Sequence, residues 1–228
     1  MPDNLDLQSP QESSTQGLLA EHARIAELYL YNREMGEKRL SFYLTIVSIA
    51  ATGLVALTEL RREEAFLIEG ALALLVGVSL LGLFTFQRLV ERRIAGTEYL
   101  RAINRIHCYF VHLDPSLRPY YYWPLCDDRP TFGRPEAAMA GLSDLMIFFN
   151  SLSLALLLGL SMYLLKPRAH YAVLVVEGLA AGAITWVLQR LYERRSFAVA
   201  QRQASRKVRF PQGGGRPRAQ EQDEDTDL

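Results

Sequence analysis

Apolar residues in this chain gather into four blocks with charged stretches between them. A helix needs about 20 apolar residues to cross the hydrocarbon core of a bilayer, and the blocks at 40–58, 65–86, 145–165 and 171–188 reach or approach that length. The first and third are uncharged; the second carries Glu69 near its start, the fourth carries Glu177, and none contains proline. A soluble core helix shows a polar face at helical period, and these blocks show none. The pattern predicts an all-α membrane protein in which four transmembrane helices form two helical hairpins. The competing reading is a soluble bundle of unusually apolar helices, and it needs four such blocks in one small chain.

Outside the blocks the period changes. Leu18, His22, Ile25 and Tyr29 form one stripe, with Leu19, Ala26 and Leu30 beside it. Tyr99, Leu100, Ile103, Ile106, Phe110 and Leu113 form another that ends at Asp114-Pro115, where a helix should stop. Each extension is about 25 residues, or roughly 37 Å of helix. The stripes are expected either to pack on each other as a cytoplasmic stalk or to lie on the lipid surface.

Charge sets the expected orientation. The links Glu59–Glu64 and Lys166–His170 are short and hold two basic residues each. The segment before the first span has four Lys or Arg, the segment from Arg88 to Leu142 has eight, and the segment from Arg190 has nine. Positive charge stays on the cytoplasmic side, so both termini and the central segment are expected in the cytoplasm of a plasma (inner) membrane. The first 38 residues are polar, and the block after them is too long for a signal peptide's apolar core. The first span is therefore expected to remain as an anchor.

The second and fourth spans share a likeness. Gln87-Arg88-Leu89-Val90-Glu91-Arg92-Arg93 closes one and Gln189-Arg190-Leu191-Tyr192-Glu193-Arg194-Arg195 closes the other, with six identities in seven. Ile68-Glu69-Gly70 and Val176-Glu177-Gly178 open them, but the spacing between opening and closing strings differs by six residues. The strings suggest an internal duplication with two parallel halves; a basic helix end at the cytoplasmic boundary is the simpler account.

The expected organisation is a disordered N-terminus at 1–15, then a cytoplasmic helix, first hairpin and helical extension over 16–113. A Pro/Tyr-rich cytoplasmic linker follows at 114–141, the second hairpin at 142–200, and a basic then acidic disordered tail at 201–228. The linker's prolines exclude a regular helix. Its Tyr120, Tyr121, Tyr122 and Trp123 suit an interfacial anchor at headgroup depth, or a docking surface. In the tail, Arg202, Arg206, Lys207 and Arg209 form a cluster that would face anionic lipid headgroups.

Composition adds little. Lys plus Arg equals Asp plus Glu at 25 each, which gives no case for nucleic acid. The two cysteines, Cys108 and Cys126, fall in the segment expected to be cytoplasmic, where a structural disulfide does not persist.

Candidate chemistry is sparse. A carboxylate inside a membrane is costly and is a functional hypothesis by default, so Glu69 and Glu177 are candidates for ion or proton handling. Gly178 and Gly182 form GxxxG in the fourth span, and Ala73 and Gly77 a small-xxx-small pair in the second; both suit close helix packing. Thr45, Ser48 and Thr52 share a face, as do Asn150 and Ser153, for helix contacts or a pore lining. His107, Cys108, His112 and Cys126 are soft ligands in one region but lack the paired spacings of zinc sites. No catalytic motif or cofactor fingerprint is present in the sequence. The expectation is a membrane protein that acts by self-association or by binding a membrane partner, as a scaffold, sensor or pore-forming component. The alternative is a small ion or proton channel or transporter.

Overall fold

The computed structural model describes residues 10–59, 64–122, 125–133, 141–165 and 170–211. Among them every regular element is helical. Helix α1 covers Pro10–Glu59, α2 covers Glu64–Leu113, α3 covers Leu142–Leu165 and α4 covers Tyr171–Ser205, with a short 3-10 helix at Pro115–Tyr120 after α2. All four α-helices are long and apolar enough to cross a membrane, in keeping with an all-α, multi-pass membrane protein.

Local chemistry accounts for the boundaries. Proline is favoured in the first turn of a helix, where its missing N–H costs nothing, and α1 begins at Pro10. Helix therefore enters the 1–15 segment expected to be disordered. Helix α2 stops at Leu113, because Pro115 cannot supply the next helical N–H. The Asp114 carboxylate accepts from Ser116 N at 3.0 Å and starts the 3-10 turn. At the start of α3 the Asp144 carboxylate accepts from Gly141 N at 2.9 Å, occupying a donor the helix leaves free. Helix α4 runs to Ser205, into the tail expected to be disordered from 201.

At 50 residues, α2 is about 75 Å long. A hydrocarbon core is about 30 Å thick, so α2 is longer than one crossing needs, and its charge-poor part at 65–86 has the length of one. The same reasoning applies to α1, whose uncharged part begins at Leu40.

The chain divides into two compact units. Unit 1 comprises 1–33, 94–132 and 200–228; unit 2 comprises 34–93 and 133–199. Unit 1 has a small core that includes Ile25, Ile106, Cys108, Cys126 and Phe132. Asp127 organises its loops. Its carboxylate accepts from Arg105 Nε at 2.8 Å, from Phe210 N at 2.8 Å and from Arg209 N at 2.9 Å. Its own N–H donates to Phe210 O at 3.0 Å, and its carbonyl accepts from Arg101 Nε at 2.8 Å. Arg209 and Phe210, in the tail expected to be disordered, are thus held by a buried carboxylate. The Arg101 guanidinium also lies over the Phe132 ring, 5.4 Å from its centroid.

Unit 2 is built from the apolar parts of all four helices. Burial follows a three- and four-residue rhythm, as in helix bundles. Leu40, Tyr43 and Ala50 are buried on α1, and Val78, Ser79, Phe86, Leu89 and Val90 on α2. Helix α3 contributes Ser143, Met146, Ile147, Asn150 and Ser153. Large apolar side chains point outward, among them Phe42, Ile49, Phe84, Phe148, Val176, Leu179 and Ile184.

Candidate functional site

The interior of unit 2 is polar in layers, and the helix period explains how. Ser143, Asn150 and Ser153 lie seven and three residues apart on α3, so they share a face. That face meets polar groups of the other three helices.

In one layer Ser79 Oγ and Ser153 Oγ are 2.7 Å apart. In the next, Tyr43 Oη donates to Asn150 Oδ1 at 3.4 Å, and Asn150 Nδ2 donates to Gln189 Oε1 at 3.5 Å. Tyr43 and Asn150 are fully buried and Gln189 nearly so. Gly82 makes room for this layer: a Cβ there would stand 2.0 Å from Asn150 Oδ1 and 3.0 Å from Tyr43 Oη. The Gln189 Nε2 donor is buried without a hydrogen-bond partner, a costly arrangement.

One α3 turn away, Met146 and Ile147 are fully buried and separate the amide layer from a charged one. There Glu193 Oε1 accepts from Arg93 Nη1 at 2.9 Å and from Ser143 Oγ at 3.0 Å, and Arg93 Nη1 also donates to Ser143 Oγ at 3.0 Å. Glu193 Oε2 accepts from Arg190 Nη1 at 3.3 Å, and Arg190 pairs with Asp144. Two arginines face two carboxylates, so the cluster is neutral. Aromatic rings close it: the Arg93 guanidinium is 5.1 Å from the Phe197 centroid and that of Arg190 is 5.3 Å from Trp186. Such pairs overcome the cost of leaving water only when further hydrogen bonds satisfy the ions, which Ser143 and the double use of Glu193 supply.

The two seven-residue strings occupy unlike environments. In α2, Gln87, Arg88 and Glu91 are exposed while Leu89 and Val90 are buried; in α4, Gln189 and Glu193 are buried while Leu191 and Tyr192 are exposed. The identical letters are out of phase with the core. The two strings do meet, since Arg93 closes the first and Glu193 belongs to the second.

The residues singled out from sequence scatter. Glu69 is exposed on α2 and Glu177 half-buried on α4. Gly178 and Gly182 face α3: a Cβ at Gly178 would stand 2.8 Å from Ala155 O, and one at Gly182 would stand 3.0 Å from Ser151 O. Ala73 and Gly77 face outward, and a Cβ at Gly77 meets nothing within 4 Å. Thr45, Ser48 and Thr52 are also exposed, each donating to the carbonyl four residues earlier at 3.0, 2.9 and 2.9 Å. Asn150 and Ser153 lie in the polar interior. Tyr120 and Tyr122 are exposed, the Tyr121 ring lies tilted against that of His107, and Trp123 lies outside the described residues. The side chains of Arg202, Arg206, Lys207 and Arg209 are exposed. Cys108 and Cys126 are buried and free, while His112 is exposed. Among the described residues no group of three or more His, Cys, Asp or Glu converges as a metal site would require.

Sequence reasoning passed over Tyr43, Ser79, Gly82 and Ser143, and took Arg93, Gln189 and Glu193 only as parts of the repeated string. A usable signal was present in α4. Leu174, Gly178, Gly182, Gln189, Glu193, Phe197 and Ala200 form one stripe at steps of three, four and seven, so the GxxxG face continues into the glutamine and the glutamate. The chain matches no protein-family model, no curated protein and no solved structure.

Proposed function

We propose that this is a polytopic inner-membrane protein with both termini in the cytoplasm, acting without catalysis through self-association or a membrane partner, as a scaffold, sensor or pore-forming component. One observation carries the reading. In unit 2 large apolar side chains cover the outside while polar ones are buried among the apolar residues inside: Phe42, Ile49 and Phe84 are more than 60% exposed while Tyr43 and Asn150 are 0% exposed. Lipid would cover the outer apolar surface, and polar contacts inside would fix the register of the helices. The basic segments supply the orientation, and Arg202, Arg206, Lys207 and Arg209 would lie against anionic headgroups. Crosslinking in native membranes tests the association: a product that is only monomeric, with no partner recovered, rejects it. Reporters fused at 60 and 168 should both read outside, and one inside reading breaks the topology.

Ion or proton conduction is the second reading, and the layered interior favours it. Buried hydroxyls and amides could line a hydrated path. On this reading the weight moves from Glu69 and Glu177 toward Tyr43, Asn150 and Gln189. Flux through reconstituted liposomes decides: wild-type flux lost in Gln189→Leu supports the interior path, loss only in Glu177→Gln supports the carboxylates, and no flux from folded protein rejects conduction.

A further inference from the structure

In unit 1, α1 and α2 meet through two imidazoles. His22 Nε2 lies 3.1 Å from His107 Nε2, and the ring centroids are 5.1 Å apart. The His107 ring in turn lies 4.9 Å from the ring of Tyr121, just past the 3-10 helix. Both imidazoles are half-buried.

Two imidazoles hydrogen-bond through Nε2 only when one nitrogen carries a proton and the other does not. The pair can take up one further proton on an outer Nδ1 and keep this bond. It cannot take a second, because both Nε2 atoms would then be donors and two positive charges would meet at 3.1 Å. Burial, and then the neighbouring His22, hold His107 below the ordinary histidine value, in line with that limit. The other groups recorded around the pair do not offset a second charge. On α1, Glu21 is already bound to Arg24 at 2.7 Å. On α2 the next residue, Cys108, keeps its proton because its thiol is pushed up to about 12. From the linker side comes the Tyr121 ring.

We infer that the His22–His107 pair is an acid-sensitive latch between α1 and α2 of unit 1. Linkage gives the direction. The His107 value is lowered on folding, so the unfolded or opened form binds more protons. The seam is stable above the ordinary histidine range, and its stability falls as pH drops through about 6.5 and below.

The test is amide hydrogen exchange on the full-length protein in nanodiscs, corrected for the intrinsic rate, from about pH 7.5 to about pH 5. Protection over 18–29 and 100–111 should hold to near neutrality, then fall about tenfold for each pH unit in which the opened form holds one more proton. His107→Phe keeps a ring against Tyr121 and carries no titrating proton, so its protection should be flat with pH. His22→Gln leaves His107 buried and removes only the second imidazole, so its acid loss should be smaller than the wild type's but not absent; it stands in if the phenylalanine variant fails to fold. His112→Gln, at an exposed position, should retain the wild-type response. Unchanged wild-type protection down to about pH 5 overturns the latch, as does an acid loss as large as the wild type's in either His22→Gln or His107→Phe. Protection that rises on adding zinc at neutral pH and falls with a chelator also overturns it, in favour of a metal held between the rings.

Discussion

Arg93 on α2 donates to Glu193 on α4 at 2.9 Å, joining two nearly identical strings of sequence that play unlike parts. The Glu193 side chain is 4% exposed and also takes Ser143 and Arg190. Its counterpart Glu91 is exposed and, among the described residues, pairs with Arg88 three residues away.

The first prediction concerns this inequality. Glu193→Leu takes the shared carboxylate from Arg93 and Arg190, leaving Arg93 with Ser143 and Arg190 with Asp144, and because the Arg93 side chain is 38% exposed the cost falls below the about 3–5 kcal/mol of a fully buried pair. Glu91→Leu removes an exposed pair worth roughly 0–1 kcal/mol. Thermal unfolding in detergent should show a large drop in midpoint for the first and almost none for the second. Equal drops would mean that the two strings do the same job and that a structural duplication stands after all.

Much of the architecture was legible in the sequence because bilayer thickness constrains it strongly. Four uncharged or nearly uncharged blocks became four long helices, and Asp114-Pro115 ended α2 as its chemistry requires. The polar interior was hard to see for a physical reason. Whether a serine or glutamine in a span faces lipid or protein depends on which side of its helix meets the neighbours, and one span's letters do not reveal that. Thr45, Ser48 and Thr52 bond to their own backbone on an outer face, while the similarly patterned Asn150 and Ser153 bond across the bundle. The tail's order was hidden for a related reason: the buried partner of Arg209 and Phe210 is Asp127, about eighty residues earlier.

Glycine offers a sharper comparison, since four similar positions should respond differently. At Gly178 an added methyl meets the backbone oxygen of Ala155 at 2.8 Å, which cannot swing aside. At Gly82 it meets the Asn150 side chain, which can move only by giving up Tyr43. Overpacking of this kind costs about 1–3 kcal/mol. Gly77 and Gly70 have open space around the added methyl, so alanine there should be neutral or slightly stabilising within the chain. The expected order of midpoints is Gly70→Ala and Gly77→Ala at or above wild type, with Gly82→Ala and Gly178→Ala below. A drop for Gly77→Ala that appears only in the associated protein would place that face at a contact between copies.

Asp127 should control the segment after α4. Its carboxylate is the acceptor for two consecutive backbone N–H groups and for Arg105. Asp127→Ala removes all three bonds, each worth roughly 1.5–3 kcal/mol when the acceptor is charged. Limited trypsin digestion reads this directly, because Lys207 and Arg209 are cleavage positions held in place by the contact. Cutting there should be slow in the native protein and fast in Asp127→Ala, while cutting after Arg24 on α1 should not change. Equal rates after Lys207 and Arg209 in both proteins would show that the carboxylate does not hold the segment.

The two thiols supply a pH prediction. Burial pushes Cys108 up to about 12, helped by the negative charge of Asp127. Burial also pushes Cys126 up to about 11, and Asp128, hydrogen-bonded to the thiol, adds to the effect. Only the thiolate attacks an alkylating reagent. From an ordinary value of 9.0, a rise to about 12 leaves roughly a thousandfold less thiolate at any pH below both values. Folding favours the protonated form, so the contribution to stability is complete below the unfolded value and is lost as pH rises from about 9 through the folded values. In the folded protein, iodoacetamide at mildly alkaline pH should therefore label both cysteines far more slowly than after denaturation, with Cys126 ahead of Cys108. Raising the pH toward 10 should speed labelling and loosen unit 1 together, because exposed thiolate traps the opened form. Fast labelling of Cys108 at neutral pH, at the rate of the denatured chain, would mean that the thiol is not buried and that the core around Ile106 and Phe132 is not closed.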